Sequence, residues 1–127
     1  FLFVAATRGN SVWRMPLLED GSISKVGQFF TSYGPSGPDG LSMDETGRLF
    51  VANPGLAFVW VLNQRAEPDE VLTGPTGASI TNLAFGGVDR KTIYCTDSTN
   101  GDILRAEMTV SGVSLHQAAW ANGGTFQ

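Results

Sequence analysis

One cysteine and one histidine are all that 127 residues offer to thiol, disulfide or imidazole chemistry. A single cysteine forbids an intrachain disulfide and says little about compartment. Cys95 lies in the apolar run Thr92-Ile93-Tyr94-Cys95 and reads as a buried, inert thiol. His116 ends the alternating stretch Val113-Ser114-Leu115-His116, and nothing places it beside Cys95 or a serine, so a nucleophile–imidazole pair is discounted. Charge is sparse as well. Eight Lys+Arg are scattered against twelve Asp+Glu, a net charge of −4, which argues against a nucleic-acid surface. No apolar run approaches the roughly 18 residues of a membrane span, so a soluble chain with no membrane partner is expected. Sustained helical spacing is absent, and Ala118–Ala121 is too short to count. The amino end has neither Met nor a signal pattern. It begins inside Phe1-Leu2-Phe3-Val4, as if a strand were already under way, and a piece of a longer polypeptide is expected.

What is present is apolar material, punctuation and repetition. Hydrophobic residues make up 42%, with 16 Gly and 6 Pro, enough for the core of one globular domain. Leu2-Phe3-Val4-Ala5-Ala6 recurs as Leu49-Phe50-Val51-Ala52-Asn53 and as Ile93-Tyr94-Cys95-Thr96-Asp97. Each copy is followed by a short turn and a second apolar run: Ser11–Met15, Phe58–Leu62 and Asp102–Ala106. Weaker strands follow at Lys25–Phe30, Asp69–Thr73 and Val113–Ala118, and strands precede the second and third copies at Gly40–Met43 and Asn82–Phe85. Short β-branched and aromatic runs between Gly, Pro, Asn and Asp are strand-and-turn chemistry.

A four-stranded antiparallel unit of about 45 residues has the size of a β-propeller blade. The fold class is therefore all-β: a propeller segment of about three blades, eleven strands, with the innermost strand of the first blade missing. The blades divide as 1–33, 34–77, and 78–127 with the tail. Blades bury their faces only against neighbours, and closed rings use about four to eight of them. Both end faces of such a segment would present apolar side chains to water, and an open surface of that kind demands a partner. The expected partner is the rest of a longer chain, or a second fragment or copy, closing the ring.

Strand order also fixes which loops share an end. One end collects Thr7–Asn10, Tyr33–Pro38, Asn53–Ala57, Gly74–Ser79 and Ser98–Gly101. The other collects Glu19–Gly21, Asp44–Gly47, Arg65–Pro68 and Gly86–Arg90, whose acids read as solvated turn residues without a role. Trp13, Trp60 and Phe85 fall within strands and read as core between blades. At the first end stands Gly37-Pro38-Asp39-Gly40-Leu41, with Asp39 where an inner strand starts at the mouth of the channel. A carboxylate there is either a turn residue bonding nearby N–H groups or a ligand for a divalent cation.

Gly37–Asn53 closely resembles the SMP-30/gluconolactonase family of regucalcin-like lactonases, as do Thr81–Ser98 and Ile103–Ala106. The similarity covers most of the chain, roughly Leu2–Met108. It implies the carboxyl-terminal half of a six-bladed propeller with one divalent cation, Ca²⁺ or Zn²⁺ with Mg²⁺ or Mn²⁺ as alternatives, at the channel mouth. It further implies a metal-dependent lactonase or esterase acting on a sugar lactone or similar cyclic ester. Asp39 matches the family's metal-binding Asp, which is also its proposed catalytic base. The remaining ligands would come from strands preceding this segment, so the chain alone is expected to be inactive. Thr81, at the rank of Asp39 in the next blade, and Asn82 are candidate channel-lining residues. Arg8, Tyr33, Asn53 and Asn100 are candidate substrate contacts. The competing reading is a non-catalytic propeller segment, a binding module or inactive fragment.

Overall fold

The computed structural model describes residues 1–115, which form ten strands in three antiparallel sheets. The first sheet holds β1 (Leu2–Ala6), β2 (Ser11–Met15) and β3 (Gly27–Thr31). The second runs β4 (Leu41–Met43), β5 (Leu49–Asn53), β6 (Phe58–Leu62) and β7 (Pro68–Thr73), each pairing with the next. The third holds β8 (Ile80–Gly86), β9 (Thr92–Asp97) and β10 (Asp102–Glu107).

Why these stretches pack as a stack of sheets follows from the two-residue period of a strand. In β5 every residue is buried, because both faces of the second sheet are covered. Phe50 and Ala52, with Val59 and Val61 of β6, face Ile80, Leu83, Ile93 and Cys95 of the third sheet. Leu49, Val51 and Leu62, together with Trp60, face Val12, Phe3 and Phe30 of the first. Edge-on aromatic pairs lock both layers: Phe50 on Phe85 at 5.1 Å and Phe30 on Trp60 at 5.6 Å between ring centres. Trp60 and Phe85 thus pack between sheets, as their strand positions suggest. Trp13 pairs with Val4 on the outward face of the first sheet, which no sheet among the described residues covers.

Both ends of the stack are open. Leu2 and Val4 stand exposed on the first sheet's outer face, and Tyr94 and Ile103 on the third's, Ile103 at 65%. The three sheets do not close into a barrel or ring.

The link between repeat and structure is closest at the β1–β2 and β5–β6 corners. Each is a 3₁₀ turn, Thr7–Gly9 or Pro54–Leu56, ended by a left-handed residue, Asn10 (φ 50°) or Ala57 (φ 56°). In both, that residue's N–H returns to the first carbonyl of the turn at 3.2 Å.

The third sheet departs from expectation. An eleventh strand over Val113–Ala118 is not formed at Val113–Leu115, and His116–Ala118 lie outside the described residues. Long-range hydrogen bonds draw the chain under the stack instead. Met108 N–H donates to Lys91 O (2.7 Å), Gly112 N–H to Arg90 O (2.8 Å), and Val113 N–H to Met43 O (3.0 Å). Glu45 N–H donates back to Ser111 O at 2.9 Å. Gly112 lies so close to the Phe85 ring that no Cβ would fit, which is what lets this strap run between the second and third sheets. An Arg90–Glu45 ion pair of 2.7 Å closes over it.

Candidate functional site

Five loops meet at one end of the stack, as the strand order requires. Gly37 sits directly against the Thr7 carbonyl and the Asn10 side chain, with no space for a Cβ. Ser32 N–H donates to Asn10 O (2.7 Å), Gly55 N–H to Ser36 Oγ (2.7 Å), and Gly74 N–H to Ala57 O (2.8 Å). Ser98 N–H reaches Ser79 O at 3.0 Å. Each contact joins loops from different strands, so the end is a continuous floor.

Asp39 stands on that floor where β4 begins. Its backbone is held from two sides. Asp39 N–H donates to Ala52 O and Ala52 N–H to Gly40 O, both at 2.9 Å, while Gly40 N–H crosses to Thr81 O of the third sheet, also at 2.9 Å. Gly40 packs against the backbone and side chain of Asn82, where any Cβ would collide with Asn82 Cα. The need for glycine after Asp39 is therefore steric. Asp39 itself is exposed, and among the described residues its carboxylate has no hydrogen-bond or ion-pair partner.

Thr81 and Asn82 are brought to Asp39 by this crossing. Thr81 is half-buried, its hydroxyl 2.9 Å from that of Thr96, and Asn82 accepts Leu83 N–H at 2.9 Å. The other four candidates are spread out. Arg8 is exposed in the Thr7–Gly9 turn beside Gly37, and Tyr33 is 80% exposed. Asn53 is fully buried; its amide nitrogen donates to Ser32 Oγ and its Oδ1 has no partner. Asn100 is fastened to Asp97, Nδ2 to Oδ2 at 2.7 Å, in the β9–β10 turn.

Two buried carboxylates escaped the sequence reading. Asp97 is 2% exposed and accepts Ser79 N–H (2.9 Å), Thr99 N–H (3.0 Å) and the Asn100 amide. Those bonds, Ser79 first and Asn100 next, hold its carboxyl below the usual range against the opposing effect of burial. At the opposite end, Asp44 is not a solvated turn residue. It is 0% exposed, and it gathers Thr46 N–H, Thr46 hydroxyl, Arg48 N–H and Arg48 Nε within 3.0 Å. Burial pushes its carboxyl up, but the bonds from Thr46 and Arg48 and the guanidinium charge outweigh that, and the net shift is downward. A signal was present for both: Asp followed within three residues by Thr, Asn or Gly is the spacing of an Asx turn.

The sequence profile of the SMP-30/Gluconolactonase/LRE-like region matches residues 1–99. The chain belongs to this family. Solved structures agree on the fold. A candidate gluconolactonase superposes with a TM-score of 0.75 at 26% identity, covering 89% of this chain and 37% of the relative. A calcium-binding protein, regucalcin from Agrobacterium tumefaciens str. C58, gives 0.74 at 22% identity, covering 87% of this chain and 43% of its own. A luciferin-regenerating enzyme gives 0.72 at 22% identity, with 88% and 43% covered. The chain thus spans only 37–43% of these relatives' lengths. Comparison with curated proteins returned no significant match.

Whether this segment suits a divalent cation is decided by donor count. Such ions take several protein ligands, about four for Zn²⁺ and six to eight oxygens for Ca²⁺. No group of three His, Cys, Asp or Glu side chains converges among the described residues, and Asp39 stands alone. The residues present do not by themselves fit a cation. No helix among the described residues is long and apolar enough to cross a membrane.

Proposed function

We propose that this chain is one part of a hydrolase opening a sugar lactone or similar cyclic ester, competent when its open sheet stack is completed into a ring. The observation that carries the reading is Asp39: an unpaired, solvent-facing carboxylate, clamped through its backbone where β4 meets β8, in a chain of the gluconolactonase family. On this reading the units 1–33, 34–77 and 78–127 are three blades of a six-bladed propeller. Its amino-terminal half, or a second copy, covers the outward apolar faces around Leu2, Val4, Tyr94 and Ile103.

The chemistry assigned to this chain rests on Asp39 alone. As the attacking water adds to the lactone carbonyl carbon, an Asp39 carboxylate oxygen accepts its proton. The ring C–O bond then breaks, and the leaving oxygen takes back the proton held on Asp39, giving the open hydroxy acid and restoring the carboxylate. Thr81 and Asn82 line the approach beside Asp39, and Arg8, Tyr33 and Asn100 lie on the loops around it. Asn53, being buried, shapes the floor through Ser32 rather than touching substrate. Any Ca²⁺, Zn²⁺, Mg²⁺ or Mn²⁺ would take Asp39 as one ligand and the rest from the completing segment.

One observation favours a second reading. The isolated carboxylate, with no convergent acids or histidines among the described residues, also suits a non-catalytic propeller segment that binds partners through its exposed loops. Titration of the ring-closed assembly with Ca²⁺, Zn²⁺, Mg²⁺ and Mn²⁺ in turn, followed by calorimetry, separates them. Stoichiometric binding abolished by Asp39→Ala supports the hydrolase; no binding supports the scaffold. Sedimentation at micromolar concentration tests closure by a second copy, which predicts a dimer, whereas a monomer excludes it.

A further inference from the structure

The strand carrying Thr81 is irregular at that residue. In the pairing of β8 with β9, Ile80 opposes Asp97 and Asn82 opposes Thr96, so the register slips and Thr81 is left over as a bulge. A bulge bends its strand and re-aims what it carries. Here it frees the Thr81 carbonyl from β9, and that carbonyl instead accepts the Gly40 N–H across the sheet boundary at 2.9 Å. The bulge is fastened by hydroxyls. Thr81 Oγ1 lies 2.9 Å from Thr96 Oγ1, and Thr96 Oγ1 also reaches Asn82 O at 3.5 Å. The next residue of β8, Asn82, lies so close to Gly40 that a Cβ there would meet its Cα.

We propose that Thr81 and Thr96 are positioning residues for Asp39: their paired hydroxyls hold the bulge whose carbonyl grips Gly40, and so fix the backbone from which the Asp39 carboxylate projects. The assignment rests on Asp39 being the reactive group, because placement within about 1 Å is what separates an effective base from an idle one. Thr96 does its part from a distance. Its hydroxyl bonds Thr81 and Asn82 and, among the described residues, neither Asp39 nor Gly40, and it lies on the exposed face of the third sheet.

The test is nuclear magnetic resonance on the full 127-residue chain. The through-hydrogen-bond coupling between Gly40 N and Thr81 C′ is measured together with amide exchange at Gly40. Thr96→Val keeps the side-chain shape and removes the hydroxyl. It is expected to abolish the coupling and speed Gly40 exchange at least tenfold, with the β6 amides unchanged, while Thr96→Ser restores both. Thr81→Val removes the same bond from the other side, is expected to match Thr96→Val, and stands in for it should that variant fail to fold. Unchanged coupling and exchange in the valine variant, or no rescue by serine, overturns the proposal. These readouts need no turnover, so their failure is separate from that of the hydrolytic reading, which Asp39→Asn decides in a rate assay.

Discussion

Arg48 Nε donates to Asp44 Oδ2 at 2.7 Å inside a turn where Asp44 is wholly cut off from solvent. The same carboxylate closes the β4–β5 corner through Thr46, so one side chain sets the geometry between the short inner strand and the fully buried β5. Removing it takes the acceptor from four donors at once and leaves the Arg48 guanidinium with Glu70 at 3.9 Å. Asp44→Ala is expected to cost about 3 kcal/mol in urea unfolding, the range for breaking a buried, hydrogen-bonded ion pair. A loss below about 1 kcal/mol would mean that the turn closes without it.

Asp44 and Asp97 both hold their carboxyls below the unfolded range, which fixes a sign for pH. The stability they contribute is complete above about pH 4, the unfolded value, and is lost as pH falls through the lower folded values. Thermal melts from pH 7 to pH 2 should therefore fall off below about pH 4. Asp97→Asn and Asp44→Asn should each flatten that fall, because the neutral side chain does not titrate. A curve of unchanged slope in both variants would contradict the assignment.

Cys95 is buried between the second and third sheets, and burial pushes its thiol up. A thiol both shielded and protonated is slow toward disulfide reagents at pH 7. Labelling with a chromogenic disulfide is expected to run at least 100-fold slower than for a free cysteine and to follow global unfolding in urea. Rapid labelling of the folded chain would show that the interface between those sheets opens.

The repeat was legible because β1, β5 and β9 carry the same short apolar run in their own residues. Leu49–Asn53 alternates between two covered faces, and an unbroken apolar run announces that on its own. Trp60 and Phe85 were readable for the same reason. The strap at Ser111–Val113 was not, since its place depends on Arg90, Met43 and Glu45, far away in sequence, and its local alternation suits a strand equally well. Asp44 was misread because an Asp-x-x-Gly turn looks the same whether its carboxylate faces water or the corner it closes. Of the candidate site, the Pro38-Asp39-Gly40 turn stood out in the sequence, and Thr81 held the rank of Asp39 in the next unit. The grip of Thr96 on the bulge was hidden, because a register slip has no signature in a single strand. Asn53 carried no sign of burial beyond ending an apolar run, and its bond to Ser32 joins β5 to the segment just after β3.

Lactone opening turns on Asp39, and its decisive measurement is the rate of acid release from glucono-δ-lactone by the ring-closed assembly. After subtraction of spontaneous hydrolysis, the assembly with Asp39 intact is predicted to open the lactone, and Asp39→Asn to lower kcat at least about 100-fold with the fold retained. Equal rates from the two proteins would contradict it.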